Sequence, residues 1–193
     1  MKTYEISIKS IVAMLMHGSQ SVGMEGPKTK KKGGFALQGD PDEWKKTIYF
    51  NREVGIFLPA ISFEACMKNA AKQFKISGRA TATKYIESGF FCIDEHLPFL
   101  VDGKPITSLD DSRIKIDKRT VKNPSTRGRN VRYRAKFDSW SSTFRVIVTA
   151  DDYISEELLV EIIRYGGSYI GVGDYRPRFG RFQLVSLKEV KNV

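Results

Sequence analysis

Val131-Arg132-Tyr133-Arg134-Ala135-Lys136-Phe137 and, after a short turn, Phe144-Arg145-Val146-Ile147-Val148 place an apolar residue at every second position. A period of two is the mark of a strand with one buried face, so the two segments are read as adjacent strands. Downstream, Ser155 precedes Glu156 and Glu157, whose charges favour a helix start, and Leu158, Leu159, Ile162 and Ile163 share one face. Gly166 and Gly167 are expected to stop this helix. Tyr169 to Val172 reads as extended, a glycine-bearing loop follows, and Phe182 to Leu187 reads as the last strand.

Upstream of the pair, Tyr4, Ile6 and Ile8 alternate with polar residues and form strand one. Ile48 to Phe50 reads as a short strand. Pro59 and Ser62, the latter as a side-chain cap, introduce a helix whose stripe of Phe63, Met67, Ala70, Ala71 and Phe74 carries it to about Phe74. Phe90 to Ile93 gives another strand, while the turn-rich stretch around 95–120 yields no clear element. The order is β-α-β-β-α-β, an α+β ferredoxin-like arrangement (RNA-recognition-motif-like) with insertions. One domain over 1–193 is expected, since no Pro/Gly/Ser-rich linker divides the chain. Its main insertion is a loop at about 18–47, too long for a plain connection, with Lys28, Lys30, Lys31 and Lys32 clustered before Gly33 and Gly34.

Charge then points to a partner. Thirty-two Lys plus Arg against 22 Asp plus Glu give +10 over the 193 residues, which favours polyanions. Between Lys118 and Phe137 stand Lys118, Arg119, Lys122, Arg127, Arg129, Arg132, Arg134 and Lys136 without a carboxylate among them. That segment is either a solvated basic face or a phosphate-binding surface, and the lack of acidic neighbours favours the second. Gly171-Val172-Gly173-Asp174-Tyr175-Arg176-Pro177-Arg178-Phe179-Gly180-Arg181 sets three arginines among glycines. It is neither a dinucleotide fingerprint nor a Walker loop. Gly171, Gly173 and Gly180 are expected to bring backbone amides near phosphate, Arg176, Arg178 and Arg181 to supply charge, and Tyr175 and Phe179 to offer faces for unstacked bases.

These residues carry a resemblance. The glycine loop ahead of the last strand, and Ile56-Phe57-Leu58-Pro59-Ala60-Ile61-Ser62-Phe63 entering the first long helix, resemble the RAMP superfamily of CRISPR-associated RNA-binding proteins, especially its backbone-subunit branch. Asp174 and Pro177 lie outside that pattern, and a short relative carried by a phage or mobile element fits the same residues. The resemblance implies single-stranded RNA, guide or crRNA-like, held by its backbone. It also implies side-by-side copies along the strand and other ribonucleoprotein subunits as partners.

Two further readings stay open. His17 stands at the end of the first apolar segment, where it could serve a metal-independent endoribonuclease as general base, although a lone histidine is more often structural. Asp40, with Asp42 nearby, falls where some backbone subunits carry a target-cleaving aspartate, but Asp-Pro is also an ordinary turn signal. A single-stranded DNA-binding protein of a phage or plasmid would use the same stacking and phosphate contacts. No metal or cofactor is expected, because His17 and His96 are far apart and Cys66 and Cys92 sit in apolar segments without paired spacing. With no stretch long enough to span a bilayer, a cytoplasmic location is expected.

Overall fold

A computed structural model describes residues 1–18, 41–122 and 129–191, without the side chains at 122 and 130. β1 (Lys2–Ser10) and β2 (Met14–Met16) open it, followed by α1 (Glu43–Thr47), β3 (Phe50–Asn51), β4 (Gly55–Pro59) and α2 (Ala60–Ala71). The hairpin of β5 (Lys75–Ser77) and β6 (Ala80–Thr81) leads to α3 (Thr83–Gly89), β7 (Phe90–Cys92) and β8 (His96–Pro98). After β9 (Leu100–Val101) and β10 (Lys104–Pro105) come β11 (Lys115–Lys122), β12 (Arg129–Phe137) and β13 (Ser141–Val148). α4 (Glu156–Tyr165) and β14 (Phe182–Val190) complete the chain.

The main sheet is antiparallel. β1 lies between β14 and β13, and β13 pairs in turn with β7. With α2 after β1 and α4 after β13, the expected β-α-β-β-α-β order is present and the fold is α+β, ferredoxin-like. Phe63 fixes α2 to the sheet. It is fully buried, with ring centroids 4.8 Å from Phe144 and 5.8 Å from Phe182. Ser155 caps α4 by accepting a hydrogen bond from the Leu158 amide at 3.3 Å. Cys66 and Cys92 are free and buried, and burial pushes the Cys66 thiol up to about 12.

Four local expectations are corrected. β12 and β13 are not neighbours: β13 enters the main sheet beside β1, whereas β12 pairs with β11 and β2 in a separate three-stranded sheet. Buried Trp140 stands in the turn between them, and the chain changes sheets there. α2 starts at Ala60 behind Pro59 with no side-chain cap, so Ser62 is inside the helix, and it ends at Ala71, short of Phe74. Gly166 and Gly167 do not stop α4. The chain widens into a π turn over Gly166–Ile170 and breaks at Gly171, whose φ is 76°. Tyr169 and Ile170 are therefore helical, not extended.

Candidate nucleic-acid interface

The glycine loop is laid against β2 by its own backbone. The Asp174 amide donates to the Leu15 carbonyl at 2.8 Å, Gly180 to Ala13 at 2.9 Å and Val172 to Gly180 at 2.9 Å. Gly171, Gly173 and Gly180 all have φ between 76° and 79°. A Cβ on Gly180 would stand 1.7 Å from the Val172 carbonyl oxygen, and one on Gly173 2.7 Å from that of Leu15. Glycine is needed for left-handed backbone and for close approach to β2. The amides of Gly171 and Gly180 are taken up by protein carbonyls, which corrects the expectation that these glycines present amides to phosphate.

The basic strand is less free than its sequence suggests. Arg132 and Arg134 share a face of β12 with Lys136, and each meets a carboxylate: Arg132 pairs with Glu43, Arg134 with Asp174, and Lys136 with Asp138 at 2.8 Å. Arg134 is only 6% exposed, so it is an internal strut beneath the glycine loop and not part of an open basic face. Glu43 also accepts the Tyr133 amide at 3.0 Å, satisfying the strand edge beyond the end of β2, and lies 3.5 Å from His17 Nε2. Burial pushes the Glu43 carboxyl upward, but the Tyr133 amide, Arg132 and His17 together outweigh it and hold it below its usual range. His17 is thus part of an ion-paired cluster that ties α1 to β12.

The exposed cations and aromatics gather at the loop. Tyr175 is 47% exposed, and Arg176 and Arg178 are exposed with no ion pair among the described residues. Phe179 is buried, which corrects its assignment as a face for bases. Its ring lies under the Arg119 guanidinium at 4.7 Å, and that guanidinium is also 5.7 Å from the Tyr175 ring and bonded to Asp117 at 2.6 Å. Arg119 faces Arg132 directly across β11 and β12, so the loop continues onto the basic face of the sheet. Arg181 Nε donates to the Pro177 carbonyl at 2.7 Å and braces the loop's far end. Arg129 is exposed at the start of β12.

Sequence reasoning missed the other wall. Tyr169, read as extended, projects from the π turn, is 64% exposed, and lies 4.7 Å from the Tyr165 ring. Together with Asn69, Gly173, Asp174, Tyr175 and Arg176 it lines a groove of about 510 Å³. The two nearby tyrosines in Tyr165-Gly166-Gly167-Ser168-Tyr169 were the available signal. A second groove, about 570 Å³, is lined by Glu64, Asp94 and Glu95 beside His96, a sign of charge that repels phosphate.

Lys28, Lys30, Lys31, Lys32, Asp40 and Arg127 lie outside the described residues. Among those described, no His/Cys/Asp/Glu group is placed to hold a metal ion, and no helix is long and apolar enough to cross a membrane. No protein family and no curated protein matches the chain. Among solved structures, it is similar to a chain in a cryo-EM structure of the Type III-B Cmr-beta bound to cognate target RNA, with TM-score 0.49 and 8% sequence identity. The match covers 98% of this chain and 61% of that one, so the chain spans under two thirds of its neighbour's length.

Proposed function

We propose that this protein binds single-stranded RNA across the surface formed by Tyr169, Tyr175, Arg176 and Arg178. The observation that supports this most is the groove in which two exposed tyrosines stand next to Arg176, which is free of carboxylate partners among the described residues. Aromatic faces stack on any unpaired base, and planar guanidinium groups hold phosphate with two parallel hydrogen bonds. Bases inside a duplex offer no such faces.

RNA is preferred to DNA because the glycine loop and the helix entry at Pro59 resemble the RAMP superfamily. On that resemblance the ligand is a guide or crRNA-like strand, held by copies of this protein side by side and by other ribonucleoprotein subunits, in the cytoplasm. The whole chain acts as a single binding domain. His17, committed to Glu43, serves structure in this reading.

Anisotropy titrations with labelled single-stranded RNA, single-stranded DNA and duplex RNA of one length and one salt concentration test the proposal. Single-stranded RNA should bind tightest, and Tyr169→Ala should weaken it. Equal binding to duplex and single strand would overturn the stacking surface. DNA binding as tight as RNA would favour a phage or plasmid single-stranded DNA-binding protein. RNA cleavage by the wild type that disappears in His17→Ala would promote the endoribonuclease reading.

A further inference from the structure

A carboxylate inside a phosphate-binding loop works against its charge, yet Asp174 stands between Gly173 and Tyr175 and lines the groove. Its side chain is 34% exposed. Oδ2 accepts from Arg134 Nε, and no other hydrogen bond to this carboxylate is made by the described residues. Among the described residues Oδ1 is therefore an open acceptor, and a carboxylate can accept about four hydrogen bonds in all. Asn69, on the same groove, is already engaged: its Nδ2 donates to the Ala65 carbonyl at 2.9 Å and its Oδ1 accepts from Lys72 Nζ at 2.8 Å. The groove thus combines two exposed aromatic rings, one open anionic acceptor held in place by a buried arginine, and Arg176 at its wall.

Tyr175 adds an independent observation. Its φ is +57°, in the left-handed region that a bulky residue enters only when its surroundings hold it there. Such strain gathers at ligand clamps. Here it holds the ring at the groove, beside Asp174. The volume, about 510 Å³, falls within the roughly 300–1,000 Å³ of small-ligand pockets.

We infer that this groove is a guanine-selective base pocket, resting on the RNA-binding reading of the same surface. Among the four bases, guanine alone presents two adjacent donors, N1–H and the 2-amino group, on its pairing edge, the complement of a carboxylate. Adenine and cytosine each place a ring-nitrogen acceptor beside their single amino group, and uracil flanks its one N–H with carbonyls. The aromatic rings bind the base and Asp174 selects it. Arg176 takes the adjoining phosphate.

The test uses the full chain and three RNAs: oligouridine, the same strand with isolated guanosines, and that strand with inosine replacing each guanosine. Guanosine should tighten binding by roughly tenfold, as one good two-point base contact does. Inosine, which lacks the 2-amino donor, should return most of that gain. In Asp174→Asn the guanosine-to-uridine ratio should fall toward one. Oligouridine binding with no response to guanosine or inosine would overturn the base pocket and leave RNA binding standing. Failure of all three RNAs to bind would overturn both.

Discussion

Tyr175 is the residue at which stability and binding oppose each other. An asparagine tolerates φ near +57° better than a tyrosine, so Tyr175→Asn relieves backbone strain while removing the ring from the groove. Thermal unfolding of the variant should therefore stay close to wild type. Its affinity for single-stranded RNA should fall by about 1–3 kcal/mol, the stacking contribution of one base. Glu43 behaves in the opposite way. Because its carboxyl is held below the usual range, it stabilises the fold above the ordinary glutamate pKa, and that contribution disappears as pH falls through the lowered folded value. Glu43→Gln should cost about 1–3 kcal/mol at neutral pH, by denaturant unfolding, and should flatten the acid side of the stability profile. The charge pattern of β12 hid these pairings. Its carboxylates come from Glu43 and Asp174, 89 and 40 residues from their partners, and no local reading of an acid-free stretch could reveal them.

Among elements, the glycine loop depends on close backbone approach. Gly180→Ala brings a Cβ within 1.7 Å of the Val172 carbonyl oxygen at a φ of +77°, whereas the same change at Gly78, φ +56°, meets nothing within 4 Å. Gly180→Ala should destabilise by roughly 2–4 kcal/mol and weaken RNA binding, and Gly78→Ala should cost only about 1 kcal/mol of strain with RNA binding intact. Parallel unfolding and binding curves check both. β1 and β13 of the main sheet were legible because Tyr4, Ile6 and Ile8, like Phe144, Val146 and Val148, alternate over one buried face. β11 was not legible. Its two apolar residues, Ile116 and Val121, are five positions apart and so on opposite faces, and Ile116 is 52% exposed, so periodicity had nothing to register. The π turn escaped notice because Gly166 and Gly167 look like a helix stop. In fact they let α4 continue where a Cβ on Gly167 would meet the Phe182 carbonyl oxygen at 2.2 Å.

Across the whole molecule, a net charge of +10 is divided unequally. Ion pairs absorb Arg119, Arg132, Arg134 and Lys136 into structure, the Glu64–Glu95 side carries acidic groups, and Arg176 and Arg178 of the glycine loop have no ion pair among the described residues. Composition set the net charge, but the division of that charge required the fold. It also separates two charge changes that sequence alone would treat alike. Removing Arg132 and Arg134 breaks the pairs with Glu43 and Asp174 and should lower the unfolding temperature, so any weakening of binding would be secondary. Arg176 and Arg178 can be removed with stability unchanged within about 0.5 kcal/mol, as expected of exposed side chains with no ion-pair partner among the described residues.

The salt dependence of single-stranded RNA binding by the double variant Arg176→Ala, Arg178→Ala tests the central claim most directly. Removing one arginine that neutralises a phosphate should reduce the slope of log affinity against log salt by roughly 0.7 for a single strand. The account predicts weaker binding and, for the two arginines together, a slope shallower by about 1.4, with an unfolding temperature matching wild type. A folded double variant that keeps both the wild-type affinity and the wild-type slope would contradict it.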